Sequence, residues 1–308
     1  MLVEQLDNIK TLNNSIISFG NFDGLHLGHQ EIIKTMIKLS KLHNLPTVLL
    51  SFNPHTNKIL YDKNFKVLTP YSSKIENLKE FKLDYFCEIE FNYNFSLLTA
   101  DEFLKLIIDK YNPSYIVFGY DNYFGYNRIG SYEYVKNNNE YAHINCIKVN
   151  KFQQLDHLIK TSSIKDLIKN NNISDANKYL YGNYKLHGNV EKGYKIGRTL
   201  GFPTANINAD KEQIIPSNGV YSVNLLVGND IYKAICNIGV CPTLHDSEET
   251  SIEVHIMDKD IDLYKREVIV EFINFIRYEQ KFDSKKKLVE QIKQDIKSVK
   301  EERIIKSE

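Results

Sequence analysis

Ser18-Phe19-Gly20-Asn21-Phe22-Asp23-Gly24-Leu25-His26-Leu27-Gly28-His29 stands between two different periodicities. Before it, Ile16-Ile17 is short, β-branched and apolar, the signature of a buried strand. After it, Ile32, Ile33, Met36, Ile37, Leu39 and Leu42 recur at helical spacing. The segment is therefore a strand-to-helix turn. Gly20, Gly24 and Gly28 allow close approach of backbone or ligand. His26 and His29 fall at the mouth of a helix whose free N–H groups favour anions. Two surface histidines would satisfy the spacing alone. The strand before and the helix after make the pattern that of a phosphate site with two imidazole donors.

Outward from this turn, strand and helix patterns alternate through residues 15–160. Thr47–Phe52, Tyr85–Phe91, Tyr115–Gly119 and Ile144–Val149 read as strands, and Ser72–Phe81 and Thr99–Tyr111 as helices. Thr99 and Glu102 form a capping box at the start of the second helix. Such alternation predicts a parallel sheet with helices on both faces, and ligands at the carboxyl ends of its strands. Three loops fall there. Ser51-Phe52-Asn53-Pro54-His55-Thr56 also suits a plain Asn-Pro turn. Phe118–Gly130 interleaves glycine, aromatics and Arg128, fit to stack a ring and meet phosphate, or to form a Tyr-rich surface loop. Lys160-Thr161-Ser162-Ser163-Ile164-Lys165 precedes a short helix, Ile164–Lys169, and suits either phosphate or simple Ser/Thr capping.

Helix-like Ser174–Tyr181 ends at the stop signal Gly182-Asn183, where the texture changes. Short strand patterns follow at Tyr184–Val190, Tyr221–Val227, Lys233–Ile238, Ser251–Met257 and Val268–Ile276. They predict a small antiparallel barrel, closed by a helix with the stripe Leu288, Ile292, Ile296, Val299. The predicted domains are 1–182 and 183–308. Lys192–Asn206 (K-G-Y-K-I-G-R-T-L-G-F-P-T-A-N) can wrap polyphosphate with backbone N–H groups and the charges of Lys195 and Arg198. Gly193-x3-Gly197-Arg198-Thr199 is not a Walker A loop, because its spacing differs and Arg stands for Lys.

The chain has 308 residues, enough for two domains, and a formal net charge of zero. The balance excludes the basic field of a general nucleic-acid binder. Cys87, Cys146, Cys236 and Cys241 form no C-x-x-C pair, so they read as reduced thiols of a cytoplasmic protein rather than zinc ligands. No apolar run is long enough for a membrane span, and Met1–Lys10 lacks the apolar core of a signal peptide.

Gly20–His29 resembles the H-x-G-H signature of nucleotidylyltransferases, in the form G-N-F-D-G-L-H-L-G-H found in the bacterial bifunctional riboflavin kinase/FMN adenylyltransferase (FAD synthetase) family. Gly197–Asn206 resembles the G-R-x-L-G-F-P-T-A-N string of riboflavin kinases. Gly219-Val220-Tyr221, Asn237–Thr243, Glu253-Val254-His255, Leu263-Tyr264 and Ile276–Phe282 match in the same order, so the resemblance spans about residues 16–300. Departures fall at Asn53 (Asp in the family), Thr56 (Pro), Asn122 (Phe), Ser162 (Thr), Lys165 (Arg) and Lys265 (Gly).

The resemblance implies a Rossmann-like nucleotidylyltransferase domain followed by a β-barrel riboflavin kinase domain with a C-terminal helix. It implies ATP-dependent phosphorylation of riboflavin to FMN, then adenylylation of FMN to FAD with release of pyrophosphate. Catalytic roles fall to His26, His29 and Glu253, the last as base. Nucleotide and substrate binding fall to Gly20, Asn21, Asp23, Asp121, Arg128, Ser162, Lys165, Gly193, Lys195, Gly197, Arg198, Thr204, Asn206 and Arg277. Asp121 is expected near the adenosine and Arg277 on the flavin side. Thr204 and Asn206 offer hard oxygens to Mg²⁺. The expected partners are small molecules, with no nucleic acid and no membrane; oligomeric state stays open. The alternatives are an enzyme that retains one activity, or a flavin-binding sensor that turns nothing over. Retention of both histidines, Glu253 and the Thr204/Asn206 pair favours catalysis.

Overall fold

The computed structural model describes residues 1–6, 11–150, 153–154, 157–192, 196–242, 248–257, 259 and 261–305. They form two compact units, Met1–Thr161 and Ser162–Glu308.

The first unit runs β1 (Leu2–Gln5), β2 (Ser15–Gly20), α1 (Leu27–His43), β3 (Thr47–Asn53), α2 (Thr56–Leu60), α3 (Tyr71–Lys79) and β4 (Tyr85–Glu90). It continues with α4 (Tyr93–Ser96), α5 (Ala100–Tyr111), β5 (Pro113–Phe118), α6 (Tyr132–Lys136), β6 (Asn145–Lys148) and an antiparallel pair, β7 (Gln153–Gln154) and β8 (His157–Leu158). Six strands lie in the order β1-β4-β3-β2-β5-β6, and every neighbouring pair is parallel. The chain moves one way across the sheet from β2 to β3 and β4, then returns to β5 on the other side of β2. The topological switch point therefore lies at the end of β2, where open α/β sheets bind ligands. Ile16 and Ile17 are completely buried, as expected for a central strand covered on both faces. Ser15 and Ser18, also buried, donate to the carbonyls of Tyr111 and Val117 at 2.7 Å. Phe19 packs edge-on against Phe103, Phe118 and Phe124, with ring centroids 5.1, 5.7 and 5.3 Å away. Phe124 thus anchors the loop after β5 in the core. The Thr99/Glu102 capping box opens α5.

The second unit comprises α7 (Thr161–Lys169), α8 (Ile173–Tyr179), β9 (Lys185–Glu191), α9 (Ile196–Thr199), β10 (Ala205–Ala209) and β11 (Gly219–Val227). β12 (Asp230–Pro242), β13 (Glu248–Ile256), β14 (Glu267–Arg277) and α10 (Lys285–Ile305) complete it. Its strands close a barrel in the order β10-β13-β12-β11-β14-β9 with every pair antiparallel, which removes free sheet edges. Tyr221, Val223, Leu225, Ala234, Cys236, Val270 and Phe272 fill the interior. On α10, Ile296 and Val299 pack against Val220, Ile235 and Met257.

The compact units part at Thr161/Ser162, earlier than residue 182, because α7 and α8 fasten to the barrel. Asn177 Nδ2 donates to the Phe272 carbonyl at 2.9 Å, while its Oδ1 accepts from Tyr184 N at 2.8 Å. The Tyr221 hydroxyl donates to Asn171 Oδ1 at 2.6 Å.

Candidate active sites

The turn after β2 is held in an unusual shape. Phe22 and Leu25 take left-handed backbone angles, φ 50° and 41°, alongside Gly24 at 77°. Both large side chains are buried, which offsets the backbone strain. His26 then stands at the N-cap of the 17-residue helix α1, and among the described residues no side-chain capping bond is made there. A Cβ added at Gly28 would lie 3.2 Å from the His26 ring. The His26 and His29 rings stack with centroids 3.7 Å apart and planes 22° from parallel. Phe22 meets His29 edge-on at 5.2 Å. Among the described residues neither Nδ1 has a hydrogen-bond partner, and neither reaches solvent. The start of α1, with no side-chain cap at His26, leaves N–H groups of the kind that suit an anion.

Burial pushes the His26 imidazole down to about 4, against the upward pull of Asp121. Burial also holds His29 well below the ordinary histidine range, helped by the charges of His26, Lys74 and His55. Both rings are neutral near pH 7, and each offers one N–H donor.

The other residues of the turn are occupied in building it. Asn21 Nδ2 donates to Thr56 Oγ1 at 2.9 Å, and Asn21 Oδ1 accepts from Thr56 N at 3.2 Å. Asp23 Oδ1 accepts from the backbone N–H groups of Leu68 and Thr69 at 2.8 and 3.0 Å. Gly20 ends β2, beside Phe22. These three positions shape the turn through contacts the motif did not disclose. Asn122 donates to the Phe19 carbonyl at 2.8 Å, and Asn53 donates to Glu88 Oε1 at 2.8 Å. Both departures from the family pattern thus have local partners.

Asp121 is exposed, 3.9 Å from the Lys160 ammonium, and acts electrostatically on His26. Arg128, also exposed, lies over the Tyr123 ring at 4.9 Å. The loop therefore turns Phe124 into the core and presents Tyr123 and Arg128 outward. Ser162 and Lys165 stand in α7, in the second compact unit.

In the barrel, the register pairs Asn206 of β10 with Glu253 of β13. Thr204 Oγ1, just before β10, donates to Glu253 Oε2 at 3.3 Å, and Ser251 Oγ approaches Glu253 Oε1 at 3.4 Å. Gly197 packs directly under this group: an added Cβ would strike the Phe202 carbonyl oxygen and come within 3.3 Å of Thr204 Oγ1. Phe202 N donates back to the Gly197 carbonyl at 2.9 Å. Gly197, Thr204, Asn206 and Glu253 therefore come together. Their hydroxyl, amide and carboxylate oxygens are the donor chemistry that Mg²⁺ prefers. Gly193 and Lys195, and the side chain of Arg198, lie outside the described residues.

Arg277, expected on the flavin side, grips the C-terminal helix. Its Nε and Nη2 donate to the Asp295 carboxylate at 3.0 and 2.9 Å, and Gln291 adds a bond to Asp295 Oδ1 at 2.9 Å. Sequence reasoning also missed Lys74. The buried face of α3 is Tyr71-Lys74-Ile75-Leu78, so the signal was a lysine inside a helical apolar stripe.

The comparisons with known proteins cover both units. The FAD synthetase family model matches residues 8–163, and the riboflavin kinase family model matches residues 180–302. A bifunctional riboflavin kinase/FMN adenylyltransferase of Buchnera aphidicola subsp. Schizaphis graminum is 37% identical over 306 residues, covering 97% of each chain. Its counterpart in Bacillus subtilis is 33% identical over 285 residues, covering 91% of this chain and 90% of its own. A crystal structure described as a macrolide-efflux protein from Streptococcus pneumoniae is 31% identical, with TM-score 0.88, over 96% of this chain and 97% of that one. Among the described residues no helix is long and apolar enough to cross a membrane. Two family models in tandem, and relatives matched along nearly their whole length, place the chain in the bifunctional riboflavin kinase/FMN adenylyltransferase family.

Proposed function

We infer that the chain makes FMN from riboflavin and ATP in its barrel, and FAD from FMN and ATP in its parallel-sheet unit, with release of pyrophosphate. The observation that carries this reading is that each unit holds its own constellation. One is the stacked histidine pair at the open start of α1; the other is Thr204, Asn206 and Glu253 gathered across β10 and β13.

In the barrel, the 5′-hydroxyl of riboflavin attacks the γ-phosphate of ATP, the bond to the β,γ-bridging oxygen breaks, and ADP leaves. Glu253 accepts the hydroxyl proton, and the bond from Thr204 holds its carboxylate in place. Thr204 and Asn206 would hold Mg²⁺, which, when bound, neutralises charge on the phosphates. The Gly193–Arg198 stretch supplies the polyphosphate cradle, as its glycines and cations suit.

In the parallel-sheet unit, the phosphate of FMN attacks the α-phosphate of ATP. His26 and His29, neutral before the nucleotide arrives, donate N–H bonds to oxygens that gain charge in the transition state. The N–H groups at the start of α1 share that work. Asp121 is assigned to the adenosine and Arg128 to phosphate. No covalent intermediate is required. The buried thiols Cys87 and Cys236, free of disulfides, suit a cytoplasmic enzyme.

Incubation of the purified chain with riboflavin, ATP and Mg²⁺, followed by chromatography, tests the reading. FMN should appear first and FAD later, and omission of the metal should stop both. Bound riboflavin with no product would identify a sensor instead.

A further inference from the structure

Lysine is among the residues least often buried, because its charge is costly to remove from water. Lys74 is 6% exposed. Its ammonium donates to the Asn21 carbonyl at 3.0 Å and to Ser51 Oγ at 2.8 Å, and lies 4.9 Å from the Tyr71 ring centroid. Asn21 is the first residue after β2; Ser51 pairs with Gly20 in β3. The charge thus sits at the carboxyl ends of the two central strands, under the turn that leads to His26.

Two features make this more than packing. First, the ammonium is not needed to satisfy its neighbours. Ser51 Oγ already donates to the Asn21 carbonyl at 3.2 Å, so those two groups can serve each other. Second, the charge is kept against a penalty. Burial drags the Lys74 ammonium down to about 8, with Asp23 and Glu88 pulling the other way, and its charge acts in turn on His29. A charge retained at a cost in stability, beside an anion-binding turn, is the pattern of a functional group. Phe22 and Leu25 hold left-handed backbone in this turn next to the histidines, and the ammonium bonds the turn at the Asn21 carbonyl.

We propose that Lys74 is a positioning residue for adenylyl transfer, pinning the turn that carries His26 and His29 to β3 and setting a fixed positive charge beside the imidazole pair. This rests on the reading of that turn as the FAD-forming site.

The test compares the native full-length chain with Lys74→Met. Methionine fills the space of the lysine stem and removes the charge. FAD formation from FMN and ATP should fall roughly ten- to hundredfold in kcat. The KM for FMN, riboflavin phosphorylation and the melting temperature should not suffer, and the melting temperature should hold or rise. A residue with only a packing role would lower the melting temperature. Native FAD turnover in folded Lys74→Met overturns the proposal, and so does a loss that merely follows a fall in melting temperature. If Lys74→Met does not fold, Lys74→Gln replaces it, since it removes the charge, keeps a polar side chain and leaves the Ser51–Asn21 bond in place. About threefold or greater loss of kcat with unchanged KM supports the proposal, and native turnover overturns it. A native chain that makes no FAD refutes the site assignment itself, which separates the two failures.

Discussion

The guanidinium of Arg277, at the end of β14, closes on the carboxylate of Asp295 in α10, with Nη2 2.9 Å from Oδ2. Asp295 is 4% exposed, so the pair is a buried fork that ties the last strand to the last helix. Removing one partner strands a charge. Arg277→Met should therefore destabilise the second unit by about 3 kcal/mol, whereas Arg277→Met with Asp295→Leu should recover most of the loss. Chemical denaturation of the single and double variants measures both. A single variant that keeps its stability but shows a raised KM for riboflavin would return Arg277 to the flavin side.

The two chemistries should separate by mutation, because the histidine pair and Glu253 belong to different compact units. His29→Ala should lower FAD formation by roughly 100-fold or more while riboflavin is still phosphorylated. Glu253→Gln should lower riboflavin phosphorylation by about two to four orders of magnitude while supplied FMN is still adenylylated. Each variant must melt as the native chain does. If either folded variant lost both activities, one shared site would replace two.

Acid should weaken the first unit through His26. Folded His26 takes up its proton only near pH 4, whereas an unfolded histidine does so near about 6.5. Between these values the unfolded chain binds more protons, so stability declines as the pH falls through that window and is level above it. The loss at the acid end is about 3 kcal/mol at most. His29, shifted in the same direction, adds to it. Urea unfolding between pH 7 and pH 4 should show the decline, and His26→Leu should flatten it. Equal slopes would move the titration to other groups.

Lys265 occupies a position where the family has glycine, and the backbone shows why. Its φ is 63°, in the left-handed region, and its side chain is exposed. An L-residue pays about 1–2 kcal/mol there, partly offset by the greater unfolded freedom of glycine. Lys265→Gly should stabilise the barrel by about 0.5–1 kcal/mol, and Lys265→Val should weaken it. Thermal melting of both variants decides the matter.

Asn53 makes sense beside Glu88, which it meets at 2.8 Å and which also accepts from the Tyr71 hydroxyl at 2.6 Å. Aspartate at residue 53 would set two carboxylates face to face. Asn53→Asp should cost about 1–2 kcal/mol, and Glu88→Gln in the same chain should restore it. A double-variant cycle by denaturation reads the coupling, and additive effects would deny it.

What was legible in the sequence follows from pattern length. Ile16-Ile17 before and Ile32–Leu42 after the histidine turn are strong, opposite periodicities, so the switch point and its helix emerged from residues alone. Thr99 and Glu102 announced α5 in the same way. β10 escaped notice because Ala-Asn-Ile-Asn-Ala offers one large apolar side chain and two residues rare in strands. β1 escaped because an edge strand of four residues, mostly exposed, carries no alternation. The pairing of Arg277 with Asp295 depends on bringing β14 to α10, which no local pattern encodes. Lys74 was visible only as a misfit in an apolar stripe, and the meaning of a misfit comes from what surrounds it.

The join between β10 and β13 is registered at only two places among the described residues, Ala205 with Val254 and Asn206 with Glu253. The β11–β12 join, by contrast, runs from Gly219 with Ile238 to Val227 with Asp230. The ring has a short seam, and the kinase candidates Thr204, Asn206 and Glu253 stand on it. Local opening favours the least-bonded join. A ligand held by residues on both lips acts as a stitch: it closes the ring at its weakest point, and binding energy becomes mechanical integrity of the barrel.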